Sequence, residues 1–221
     1  MLLRRTFAAS PVVARVAPFI LFLLLTYGQG RFGEASRDWF YLAKTVVGIW
    51  LILEMRPFVA EMRWALSWEA VAVGVGIFAV WAGLDPLYPK FLTGGAAGNP
   101  GDRFGAGSAL ACFFIAVHVL GMTFVVPPLE ETFYRSFLYR YLARPDFQVV
   151  PLNRFSWTPF LATAAVFGFS HNEWLAGILC GAAYQWLVLR KNRLGDAMTA
   201  HAITNLLLGL WVVWRGAWNF L

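Results

Sequence analysis

Uninterrupted apolar runs, each close to the length of a helix that crosses a bilayer, recur along this chain and constrain its fold more than any other feature. They extend from Val12 to Gly28, Trp39 to Glu54, Leu66 to Leu84, Ala106 to Val126, Trp157 to Ser170, Trp174 to Leu189 and Ala197 to Trp214. About 20 apolar residues span the hydrocarbon core as a helix. The runs are continuous rather than alternating, which favours helices over a membrane barrel. Composition agrees: 59% of the 221 residues are hydrophobic, 14% are charged, and the mean hydropathy is +0.60. A soluble domain is roughly 45–50% apolar and about 25% charged, so there is too little polar surface here to wrap a soluble globule. Abundant aromatics and only two cysteines exclude disorder and a disulfide-stapled fold. The expectation is an all-α polytopic membrane helical bundle, about seven or eight transmembrane helices in one domain over residues 1–221.

The net charge is +6, but the basic residues are scattered between apolar runs and form no stripe for nucleic acid. Their placement predicts a topology. With the amino terminus inside, the inner loops hold Arg4, Arg5, Arg56, Arg63, Arg140, Arg144, Arg154, Arg190, Lys191 and Arg193. The outer loops hold Arg31, Arg37, Lys90, Arg103 and Arg215. Arg4-Arg5-Thr6-Phe7 has a passing likeness to a twin-arginine signal, yet no small-residue cleavage site follows, so a retained first span is expected. Thr93 to Gly107 is glycine-rich and reads as an extramembrane loop. Cys112 and Cys180 lie in apolar runs and read as small buried residues. Pro127-Pro128 cannot donate backbone hydrogen bonds, so the helix through Ala106 to about Ala143 is expected to kink or break there.

Charged and histidine side chains inside apolar runs are costly, and they mark function by default. Glu131 and Arg135 are four apart and share a helical face, where they can pair; Glu130, rotated by about 100°, serves other neighbours. His201 and Asn205 form a second pair at the same spacing, able to aim two donors at one oxygen or to hydrogen-bond between helices. His171 closes a short run after Phe167-Gly168-Phe169-Ser170. His118 reads as a packing histidine, Glu69 as interfacial, and Arg15 and Lys44 as near enough to helix ends to snorkel.

Glu130-Glu131-x-x-x-Arg135, Phe167-x-x-x-His171 and His201-x-x-x-Asn205 together resemble the three motifs of the CAAX prenyl protease family, which includes the bacteriocin-processing and immunity (Abi, CPBP) proteins. The likeness covers about Ala106 to Leu221, and it extends to the bacterial CAAX-protease-related proteins found with exosortase systems. It implies an intramembrane endopeptidase with Glu130 as general base, His171 orienting the water, and His201 and Asn205 as the oxyanion hole. Glu131 and Arg135 would shape the site or hold the substrate terminus. It implies no cofactor or metal, a peptide or protein substrate whose lipid modification is open, membrane lipid around the chain, and a bacterial inner membrane. Three other readings stand beside it. Glu130, His171 and His201 have the composition of a zinc site, although no HExxH is present. The scaffold can serve as a non-catalytic binding or immunity protein. Transport would need more intramembrane charge than the chain carries.

Overall fold

The computed structural model describes residues 2–29, 31–34, 36–91 and 98–220. The described residues form helices joined by short connections, with no strand among them. Two amino-terminal helices, α1 (Leu2–Ala9) and α2 (Pro11–Gly28), are separated by Ser10. Its hydroxyl caps α2 by accepting from the Val13 amide at 3.3 Å, while Pro11 takes the first turn, where its missing N–H costs nothing. Then come α3 (Ser36–Met55) and α4 (Trp68–Leu84), the latter capped by Ser67. The short α5 (Pro100–Phe104) begins at Asn99, and Ser108 caps α6 (Ala109–Phe124). Residues 93–97 of the loop expected from Thr93 to Gly107 lie outside the described residues; the remainder contains α5 rather than being wholly loop.

The long helix breaks just before the proline pair, as expected. After a one-residue break at Val125, α7 (Val126–Glu131) resumes with Pro127 and Pro128 in its first turn. It runs into a π-helical stretch, Thr132–Leu138, and then α8 (Tyr139–Ala143). Widening the hydrogen-bond spacing rotates the side chains that follow, which lets a helix with missing donors continue through the interior. The last three helices are α9 (Trp157–Phe169), α10 (Trp174–Lys191) and α11 (Gly195–Arg215).

Among the described residues, four stretches are long and apolar enough to cross a membrane: Pro11–Gly28, Trp68–Leu87, Ala109–Ala143 and Gly195–Arg215. The expected number was larger because α3, α9 and α10 were counted as well. α9 is apolar but has 13 residues. α3 carries Arg37, Asp38, Lys44 and Glu54, and α10 carries Gln185 and a basic end, so both fall short on apolarity. Much of that polarity points inward: Asp38, Lys44 and Gln185 are all buried. Outward faces carry large exposed apolar side chains such as Leu24, Trp50, Leu161 and Trp214, a surface suited to lipid.

Small residues let the helices approach closely. A Cβ on Gly177 would lie 2.9 Å from the Gly168 Cα, and one on Gly181 would lie 3.1 Å from the Ala164 Cα, so α9 and α10 meet nearly backbone to backbone. A Cβ on Gly74 would lie 2.7 Å from the Ala200 carbonyl oxygen, which seats α4 against α11 in the same way. The α7 and π segment is the hub, packed against α2, α3, α9 and α11. Of the two cysteines, Cys180 is buried as expected, whereas Cys112 is exposed on the outer face of α6. His118 is buried, stacked on Tyr41 with ring centroids 3.7 Å apart and 3.5 Å from Asp38, which in turn pairs with Arg103. Glu69 sits at the start of α4 with Lys191 at 3.0 Å.

Arg15 does not reach for solvent. It is 3% exposed and pairs with Glu61 at 2.9 Å; Arg140 meets the same carboxylate oxygen at 2.6 Å, and the Ser136 hydroxyl donates to it too. Glu61, in the connection before α4, therefore clamps α2 to the α7–α8 segment. Burial alone would raise its carboxyl, but Arg15, the Ser136 hydroxyl and Arg140 outweigh burial and hold it below its ordinary value near 4.5. The stabilisation is thus complete above that value and is lost as pH falls through the lowered one. Thermal melting in detergent should show stability falling below about pH 4.5, with a flatter acid limb in Glu61→Gln. At neutral pH, Glu61→Gln should itself destabilise by about 3–5 kcal/mol, because two buried guanidinium groups lose their counter-charge.

Candidate active site

The three motifs meet around Glu131, which has no solvent exposure. Its Oε2 lies 3.1 Å from Arg135 Nε, one turn along, as the spacing predicted. That contact lacks hydrogen-bond alignment and is a charge pair. Its Oε1 lies 2.9 Å from His201 Nδ1, 70 residues away on α11. Arg135, also fully buried, donates from Nη2 to the Gly181 carbonyl at 3.2 Å, so it ties the π segment to α10. The close glycine seam between α9 and α10 holds that carbonyl in place.

Phe167 sits at the centre of this group. The Arg135 guanidinium lies 4.5 Å from its ring centroid. The rings of His171, Tyr134 and His201 surround it at 4.7, 5.0 and 6.1 Å. His171 Nδ1 lies 2.7 Å from the Phe167 carbonyl oxygen. A carbonyl only accepts, so Nδ1 carries the proton, and Nε2 of the neutral ring keeps its lone pair free. Tyr134 donates to the Ser170 hydroxyl at 3.1 Å, which donates in turn to the Phe167 carbonyl, fixing the turn that bears His171.

His201 is held on two sides. Tyr184 stacks on its ring at 5.1 Å and donates to Thr204, which bonds back to the Gly74 carbonyl. Because Nδ1 faces a carboxylate, it carries a proton, so Nε2 is the nitrogen left for chemistry. It donates from Nε2 only as an imidazolium, for which Glu131 is the counter-charge. Asn205, one turn along, uses one amide N–H on the Met122 carbonyl at 2.7 Å and keeps a second. Glu130 is partly buried, and its Oε2 has no hydrogen-bond partner. It shares electrostatic influence with His201, Glu131 and Arg135.

The structure thus brings together Glu131, Arg135, His171 and His201, with Glu130 and Asn205 alongside. It adds a contact that sequence reasoning missed, since Glu131 meets His201 as well as Arg135. Tyr184, Tyr134 and Thr204 were also missed. They carry hydroxyls in apolar runs, where such residues are ordinary, and no spacing singled them out.

All six motif residues fall within one stretch, residues 111–207, that matches a family model described as type II CAAX prenyl endopeptidase Rce1-like. That stretch is Rce1-like. No curated protein and no solved structure matches the chain. Residues 111–207 are similar to a protease family, and the apolar helices suit an integral membrane protein. Glu131 contacts both Arg135 and His201, so Glu131→Gln should strand Arg135 and release His201. Its melting temperature in detergent should fall by about 6–12 °C for a loss of about 3 kcal/mol, whereas Glu130→Gln should leave folded yield nearly unchanged.

Proposed function

We propose that this protein is an intramembrane endopeptidase of the Rce1-like kind that hydrolyses a peptide bond with a water activated by Glu130 and His171. The observation that carries this reading is the unpartnered Glu130 carboxylate oxygen, buried beside groups that already have partners. Arg135 is engaged by Glu131 and Gly181, and His201 by Glu131 and Tyr184. Of the adjacent pair Glu130 and Glu131, Glu130 is therefore the acid left free to take a proton.

Glu130 removes a proton from water while His171 Nε2 accepts the second hydrogen as a hydrogen bond. The hydroxide attacks the carbonyl carbon. The oxyanion that forms is met by the free N–H of Asn205 and by Nε2–H of His201, charge-balanced through Glu131. Collapse breaks the C–N bond, and the proton held on Glu130 passes to the departing amine. The substrate is a peptide or protein. A lipid-modified carboxy-terminal segment fits a site set among lipid-facing helices. Basic-residue placement supports an amino terminus inside, and the resemblance to bacterial family members favours a bacterial cytoplasmic membrane. A zinc-dependent version draws on the same side chains, but among the described residues no three His, Cys, Asp or Glu are grouped to hold a metal ion.

The test is cleavage of a panel of lipid-modified and unmodified carboxy-terminal peptides by the purified protein, with and without chelator. Chelator-resistant cleavage that disappears in Glu130→Gln is the expected result. Chelator-sensitive cleavage would move the chemistry to zinc, and no cleavage of any peptide would favour a binding or immunity role. On a cleaved peptide, Asn205→Ala should lower kcat by about 10²–10³, the scale for one oxyanion donor; an unchanged kcat would remove Asn205 from that role.

A further inference from the structure

Lys44 lies well inside α3, and the structure corrects the expectation that it snorkels to a helix end: its side chain is buried, 6% exposed. The ammonium donates to Thr26 Oγ1 at 3.2 Å and Gln29 Oε1 at 3.0 Å. It lies 5.0 and 4.3 Å from the ring centroids of Phe22 and Tyr41. Those four groups are neutral, so none offsets the charge. The other buried or largely buried cations are different. Arg15 and Arg140 share Glu61, Arg103 holds Asp38, and Arg135 holds Glu131, each within 3.1 Å.

Glu130 presents the converse, a carboxylate with an unpartnered buried oxygen and neighbouring cations already committed to Glu131. The helices bring the two toward one seam. Gly48 is one turn beyond Lys44 on the same face of α3. A Cβ there would collide with Val125 and come within 3.6 Å of Leu129, the residue before Glu130. It would also lie 3.5 Å from Phe22, the ring beneath Lys44. Each of the two charged side chains lies in the electrostatic field of the other, across more than ion-pair distance.

We propose that Lys44 is a positioning residue for the hydrolysis, supplying from α3 the counter-charge that keeps Glu130 an ionised base at membrane depth without touching the substrate. This rests on the assignment of Glu130 as the base. Opposite charges interact strongly through a medium of low dielectric even without contact. The gap also leaves the carboxylate oxygen free for water, which a direct ion pair would occupy.

The experiment compares Lys44→Met, Lys44→Arg, Glu130→Gln and the Lys44→Met/Glu130→Gln double variant, purified as the full chain. Melting requires no substrate. Lys44→Met should lower the melting temperature in the native background and should not do so when Glu130 is already Gln; an equal drop in both backgrounds would overturn the pairing. In cleavage assays Lys44→Met should lower kcat by about tenfold or more, the scale of a 1.4 kcal/mol charge interaction, with KM within about twofold, and Lys44→Arg should restore much of kcat. A raised KM at unchanged kcat, or equal loss in the Met and Arg variants, would overturn the positioning role. Coupled melting in a protein that cleaves nothing would overturn the base assignment and leave the pair as a structural one.

Discussion

A single carboxylate with no access to solvent holds the carboxy-terminal half of this protein together. Glu131 gives one oxygen to Arg135 and the other to His201, and Arg135 passes the connection on to the Gly181 carbonyl. Three helical segments are fixed by groups that cannot fall back on water. In such surroundings, removing one partner leaves the others charged and stranded, which costs about 3–5 kcal/mol. An apolar substitute of similar shape would hold the helices equally well, so stability alone does not account for the arrangement. What it adds is orientation: His201 is presented with Nδ1 engaged and Nε2 directed elsewhere.

The carboxylate reaches its partners because the helices come close enough. Gly168, Gly177 and Gly181 remove side chains from the seam of α9 and α10, and Gly74 does the same where α4 meets α11. Lipid offers no hydrophobic drive to bring helices together, so close backbone approach and dispersion supply the attraction. The same seams set function. The Gly181 carbonyl is exposed to Arg135 because its helix lies against α9, and the turn carrying His171 follows directly from the packed end of α9. The π segment then rotates Arg135 toward the group while Glu130, one position before Glu131, is left facing another way.

Much of this was legible in the sequence, and the limits have physical causes. A polar residue within an apolar run is conspicuous, and i, i+4 spacing places two such residues on one face. The Glu131–Arg135 pair, the embedded His171 and the His201–Asn205 pair could therefore be singled out. The contact between Glu131 and His201 could not, since helical periodicity says nothing about which face of one helix meets which face of another. Arg15 and Lys44 were read as snorkelling, because a long basic side chain near a helix end ordinarily reaches water; both turn inward, where Glu61 in one case and Thr26 and Gln29 in the other accept their protons. The break expected at the proline pair is present at Val125, and a new helix begins at once; the π stretch that follows had no signal in the sequence. Four of the expected crossings meet the length and apolarity of a span among the described residues, whereas α3 and α10 direct polar groups into the protein interior.

Charge accounting within the bundle separates scaffold from chemistry. Glu61, Asp38, Glu69 and Glu131 each meet a cation within 4.0 Å, and in doing so each is removed from reaction. A carboxylate locked into an ion pair holds its electrons for its partner and is a poor acceptor of a proton from water. Of the adjacent Glu130 and Glu131, Glu130 escapes this fate, with an oxygen buried and unpartnered. It can remain so in an apolar setting only if opposite charge lies near it without touching. A base at membrane depth needs compensation at a distance, close enough to stabilise the anion and far enough to leave its oxygen open to water. Lys44, held by neutral acceptors on the opposite side of the seam, meets both conditions.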